Sequence, residues 1–176
     1  MNHRIALMTF NLAEDEKRVY RFMAKALSGA GWRIEIINPV FEGQDSQRIY
    51  FRKSDVRHGG FLKRFAPHRT MMKSLLESRA DIAVLCDAEL LKMLPKAKRI
   101  MPIQIIFDMN GTVENNYGIF KRKLLLADAV ITENEETADK VSELYGRTAT
   151  AIRGEIDKDL LISLCDELER GGRYNI

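Results

Sequence analysis

The chain has 176 residues, a length suited to one domain, and its 45% hydrophobic and 30% charged composition suits a soluble globular protein with a real core. No apolar run approaches bilayer length, and the start, MNHRIALMTFNLAEDEKR, is unlike a secretory leader because acids follow its short apolar part at once. A net charge of +3 does not by itself mark a nucleic-acid binder, and Cys86 and Cys165 lack metal-ligand spacing, so a cytoplasmic protein is expected, peripheral at most at the inner membrane face.

Strands and helices alternate along the chain. RIALMTF (residues 4–10) reads as a buried strand, followed by the acid-rich stretch 11–16. Val19, Phe22, Met23, Ala26, Leu27 and Ala30 recur at helical spacing, and Gly31 stops that helix. RIEIIN (33–38) is the second strand, and RIYFR (48–52) a short extra one. A helix over 69–79 leads to the strand DIAVLCD (81–87), where Cys86 reads as a buried thiol. Residues 88–98 read as a helix that Pro95 interrupts. PIQIIFD (102–108) is the next strand, 119–127 a basic, leucine-rich helix, and AVITEN (129–134) a further strand. The run Leu124-Leu125-Leu126 is too short for a membrane anchor and reads as core helix. A helix over 135–145 ends at Gly146, TATAIRG (148–154) is the last strand, and 158–170 the last helix.

Strands that are apolar throughout are buried on both faces, as in a parallel sheet covered by helices. The expected fold is α/β: residues 1–176 form a single doubly wound, Rossmann-like three-layer domain around a six- or seven-stranded, mainly parallel sheet. All its strands then end at one edge, which gathers Asn11, Asp87, Asp108, Thr132 and Glu133 where such folds bind ligands.

The stretch IIFDMNGTVENN (105–116) approaches the D-x-D-G-T signature of a haloacid-dehalogenase-type phosphatase. Asn110 stands where the second acid belongs, so the acid–base function is missing. Too few strands follow Asp108 for the later acid pair, which leaves a degenerate phosphatase as a remote alternative.

The order of motifs resembles the N-terminal, acceptor-side domain of a GT-B glycosyltransferase of the family-4-like group, from residue 4 to about 160. ADIAVLCD (80–87), FDMNGTVENN (107–116), LLLADAVITENEETADKVSELYG (124–146) and IRGEID (152–157) follow that family's pattern in order. The chain departs from it in three places. Asn11-Leu12-Ala13-Glu14 replace a glycine pair, Asn110 replaces a His, and the Pro before Glu114 is missing. The resemblance implies half of a hexosyl transferase that uses a nucleotide sugar. The donor pocket would lie on a second domain or partner chain, the isolated chain would be inactive, and no metal or cofactor is implied. It places Asp108 as the catalytic residue, orienting an acceptor hydroxyl or acting as its base, with Asn11, Asp87, Asn110, Gly111 and Glu133 as acceptor contacts. From the residues alone, Asp108 and Asn110 equally suit a turn, and Asn11 a helix cap. The competing class is a non-catalytic Rossmann-like scaffold that docks to a membrane or partner.

Residues 48–73 are basic, with Arg48, Arg52, Lys53, Arg57, Lys63, Arg64, Arg69 and Lys73 set against Asp55 alone. Phe51, Phe61 and Phe65 lie among them. That mixture suits a membrane surface or an anionic, lipid-linked acceptor, with Arg52, Lys53, Arg57, Phe61, Lys63 and Arg64 in contact. A solvated surface loop is the plain alternative, and nucleic acid the least favoured partner.

Overall fold

The computed structural model describes residues 3–10, 16–39, 45–54, 67–109 and 117–173. Its centre is a seven-stranded sheet in the order β3-β2-β1-β4-β5-β6-β7. The strands are β1 (Arg4–Met8), β2 (Arg33–Asn38), β3 (Ile49–Lys53), β4 (Ile82–Leu85), β5 (Gln104–Met109), β6 (Ala129–Thr132) and β7 (Thr150–Ala151). Every neighbouring pair is parallel. Each strand expected from the sequence is present, although β7 is reduced to two residues.

Helix α1 begins as a π-helical segment, Glu16–Ala24, and continues as an α-helix, Lys25–Gly29. The other helices are α2 (Pro67–Ser78), α3 (a 3-10 segment, Ala88–Met93, running into Leu94–Ile100), α4 (Tyr117–Leu124), α5 (Glu135–Tyr145) and α6 (Lys158–Arg173). The break in α3 falls just before Pro95, whose nitrogen has no hydrogen to donate to a carbonyl of the preceding turn. Two glycines end helices in the left-handed region, as the sequence suggests. Gly146 follows α5 at φ 63°, and Gly31 follows α1 at φ 103°. A Cβ on Gly31 would also come within 3.3 Å of Arg48 Nη1.

Alternation along the strands sorts the core into two layers. Ile5, Leu7, Ile34, Ile36, Val84, Ile106 and Ile131 pack under α1 and α6 with Phe22, Met23 and Leu161. Ala6, Met8, Ala83, Leu85, Ile105, Phe107 and Val130 face α2 to α5, where they meet Met71, Leu75, Leu94 and Val141. Cys165 lies in the first layer, and burial, with the charge of Asp166, pushes its thiol up to about 12.

The Ala-Asp pairs before β4 and β6 have a structural use at the N-terminal edge. Asp81 Oδ2 accepts from Arg4 N at 2.8 Å, while Asp81 N donates to Arg4 O at 2.9 Å. Asp128 repeats the clamp one pair of strands along: its Oδ2 accepts from Ile105 N at 2.6 Å, and its N donates to Ile105 O at 2.8 Å. Each carboxylate satisfies a strand-end N–H and fixes the register between neighbours. Lys98 pairs with Asp128 from α3.

The leucine run divides differently from expectation. Leu124 is buried, but α4 ends there, and Leu125 and Leu126 enter the following turn 52% and 40% exposed. Only the first of the three is core.

Candidate functional site at the C-terminal edge of the sheet

Parallel strands bring Asp87, Asp108 and Glu133 to the C-terminal edge, as expected. Asn11, Asn110 and Gly111 lie outside the described residues, as do Arg57, Phe61, Lys63 and Arg64.

The strand order reverses between β1 and β4, so the crevice of this sheet opens there. Asp87, just past β4, bridges it, its Oδ2 accepting from Phe10 N at 2.7 Å. The carboxylate thereby holds the two strand ends together at the mouth of the crevice.

Asp108 is two residues beyond Ile106 and therefore projects to the same face, under α1. There it meets Arg18. The guanidinium donates from Nε to Oδ2 at 2.6 Å and from Nη2 to Oδ1 at 2.7 Å, while Nη1 reaches Ile152 O at 3.1 Å. The side chains are 9% and 1% exposed, so the pair is almost out of water. Burial pulls the Arg18 pKa down, but the hydrogen bond and charge of Asp108, then the charges of Glu133 and Cys86, outweigh it and hold it above its ordinary value. This differs from the expected acceptor-facing base. Both oxygens of Asp108 accept from a fixed cation, so the carboxylate is committed to holding that guanidinium in place.

Sequence reasoning missed Arg18. The signal was present in Asp108 itself, since a carboxylate in a strand buried on both faces needs a cation. The π-helical start of α1 obscured which residue supplies it, because spacing counted at 3.6 residues per turn does not apply there.

Glu133 is exposed at the same rim, near enough for its charge to act on Arg18. Thr132 Oγ1 donates to Asn134 O at 2.9 Å, and Asn134 Oδ1 caps α5 by accepting from Thr137 N. Beyond β7, Asp157 Oδ2 accepts from Arg153 N at 2.8 Å and from its Nε at 2.7 Å, and Oδ1 accepts from Nη2 at 3.1 Å. These bonds hold the Asp157 carboxyl down at about 2, against an ordinary 3.8. A depressed acid stabilises the fold fully above its unfolded value and loses that contribution as pH falls through the folded one. A carbon-13 titration of the carboxyl is expected to show a midpoint near 2, and Arg153→Ala to return it towards 3.8.

At the β3 end of the rim, Arg52 is already engaged. It pairs with Glu35 of β2 and, at 3.0 Å, with Glu77 of α2. That differs from the expected contact with a membrane or acceptor, while Lys53 beside it is exposed. A separate cleft of about 300 Å³, lined by His3, Gly31, Trp32 and Glu169, opens at the opposite, N-terminal edge. No helix among the described residues is long and apolar enough to cross a membrane.

No family of known sequences and no curated protein matches the chain. Solved structures do. A sucrose-phosphate synthase structure from Thermosynechococcus elongatus aligns with a TM-score of 0.69 and 14% identity, over 96% of this chain and 98% of the other. The fold is GT-B-like. A longer structure of that synthase aligns at 0.56 and 11% identity, over 85% of this chain and 47% of the other. TcCGT1 in complex with UDP, a GT-B glycosyltransferase, aligns at 0.51 and 9% identity, over 86% and 51%. The chain thus spans about half the length of the latter two. Identities this low carry the fold alone.

Proposed function

We propose that this chain is the acceptor-side half of a glycosyltransferase, with the nucleotide sugar held by a second domain or partner chain. The observation that carries the reading is the match of nearly the whole domain to about half of two longer structures, one of them a complex with UDP. A fold match alone does not assign chemistry, so the residues at the rim carry the rest. Glu133 is an exposed carboxylate at the rim and receives the acceptor hydroxyl. Asp108 is a positioning residue. It holds the Arg18 guanidinium near enough to Glu133 for their charges to interact, and so fixes the cation next to the acceptor's position.

The acceptor is anionic. The neighbour named sucrose-phosphate synthase handles a phosphate ester, and Arg52 and Lys53 end β3 at the same edge. Free sugar phosphates and lipid-linked phosphates share that chemistry, and the assay separates them. Titration of labelled protein with glucose 6-phosphate, followed by amide NMR, is expected to move signals at Asp87, Glu133 and Arg153, while glucose leaves them unmoved. If only a short-chain lipid phosphate moves them, the acceptor is lipid-linked. Silence at the rim with both, or shifts confined to the His3–Trp32 cleft, contradicts the reading.

The phosphatase alternative loses its nucleophile in this geometry, because Arg18 occupies both oxygens of Asp108. The scaffold alternative predicts no rim response to either phosphate.

A further inference from the structure

Exposed aliphatic side chains and positive charge coincide at one corner of the N-terminal edge, opposite the rim. Ile100 ends α3 44% exposed, and Leu125 and Leu126 follow α4 at 52% and 40%. Lys98 draws the two segments together: it leaves α3 to pair with Asp128, two residues past Leu126, and donates to Ile103 O at 3.1 Å. Exposed Arg99 and Arg122 flank the aliphatic tips, and neither LPKAKRI of α3 nor YGIFKRKL of α4 contains an acid. Acids on adjoining segments are engaged, Asp128 with Lys98 and Glu89 with Lys92. The acidic helix α5 bounds the patch on one side.

We propose that this corner docks the protein on an anionic phospholipid surface. Leucine and isoleucine tips gain by entering the boundary between headgroups and acyl chains, while long basic side chains lie along them and reach lipid phosphates. A second copy of the chain would set these cations against like charges. Nucleic acid would satisfy the cations, but its bases stack on aromatic rings and leave the leucines unrewarded. The proposal rests on exposure and charge and does not use the sugar-transfer reading, with which it agrees when the acceptor is a free sugar phosphate. It also differs from the sequence expectation. Arg52 and Lys53 close the opposite edge, so a bilayer cannot lie against both places, and docking here leaves the rim facing water.

Vesicle co-sedimentation tests it. The intact protein is expected to bind phosphatidylcholine–phosphatidylglycerol vesicles, to ignore pure phosphatidylcholine, and to release at high salt. Arg99→Glu/Arg122→Glu and, separately, Leu125→Ser/Leu126→Ser are each expected to weaken binding by about tenfold or more. All four side chains are exposed, and circular-dichroism melts confirm that the variants fold. No binding to the anionic vesicles at low salt overturns the proposal. So does undiminished binding by both variants, or loss of binding only on reversing Arg57, Lys63 and Arg64. A dimer that either variant breaks, without vesicle binding by the parent, assigns the corner to self-association and overturns it too.

Discussion

Arg18→Ala is expected to destabilise the fold by about 3–5 kcal/mol, because it removes the cation from a nearly fully buried carboxylate. For a chain of this size the melting temperature then falls by roughly 6–20 °C. The size of the effect comes from desolvation. Asp108 gave up water on entering the core, and two hydrogen bonds of 2.6 and 2.7 Å from one guanidinium compensate. Arg18→Lys keeps the charge but offers a point donor in place of the planar fork, and should fall between the two. Arg18→Met with Asp108→Leu removes both charges together and should recover most of the loss, since apolar replacements of buried pairs are often neutral or better. Urea denaturation of the four proteins checks this. A loss below about 1 kcal/mol in Arg18→Ala would mean that the pair is solvated as ordinary surface pairs are.

Asp128→Ala should have the next largest effect, about 2–3 kcal/mol, as expected for hydrogen bonds to a charged group. It removes the acceptor for Ile105 N at the start of β5 and the partner of Lys98. Asp128→Asn keeps an acceptor without the charge and should lose less. Ligand response at the rim should be unchanged in both, because Asp128 sits at the opposite edge of the sheet. Denaturation curves measured beside the glucose 6-phosphate titration separate the effects. If Asp128→Ala spared stability and silenced the rim, the Ala-Asp motif would be functional.

These two acids show where the sequence was legible. Ile34, Ile36, Ile105 and Ile106 are buried whichever way their strand faces, so an unbroken apolar run announces a parallel sheet and its single ligand edge. Gly31 and Gly146 announce helix ends, since each sits in the left-handed region. Asp108 was legible as a rim residue, but its partner, 90 positions away, lies in a π-helical segment that helical spacing cannot place. Leu125 and Leu126 were misread because the chain leaves the helix after Leu124, and no glycine or proline there signals the end. Composition alone makes Arg52 a ligand for anions, whereas Glu35 and Glu77 come from elements that composition does not bring together.

We propose a donor pocket on a second domain or partner chain, and this chain by itself is then expected to bind nucleotide sugars weakly. Isothermal calorimetry with UDP-glucose and GDP-mannose tests it most directly. Binding no tighter than about 1 mM is expected for either, about −4 kcal/mol at most. A dissociation constant in the low micromolar range would show a complete donor site on this domain and rule out a donor pocket elsewhere.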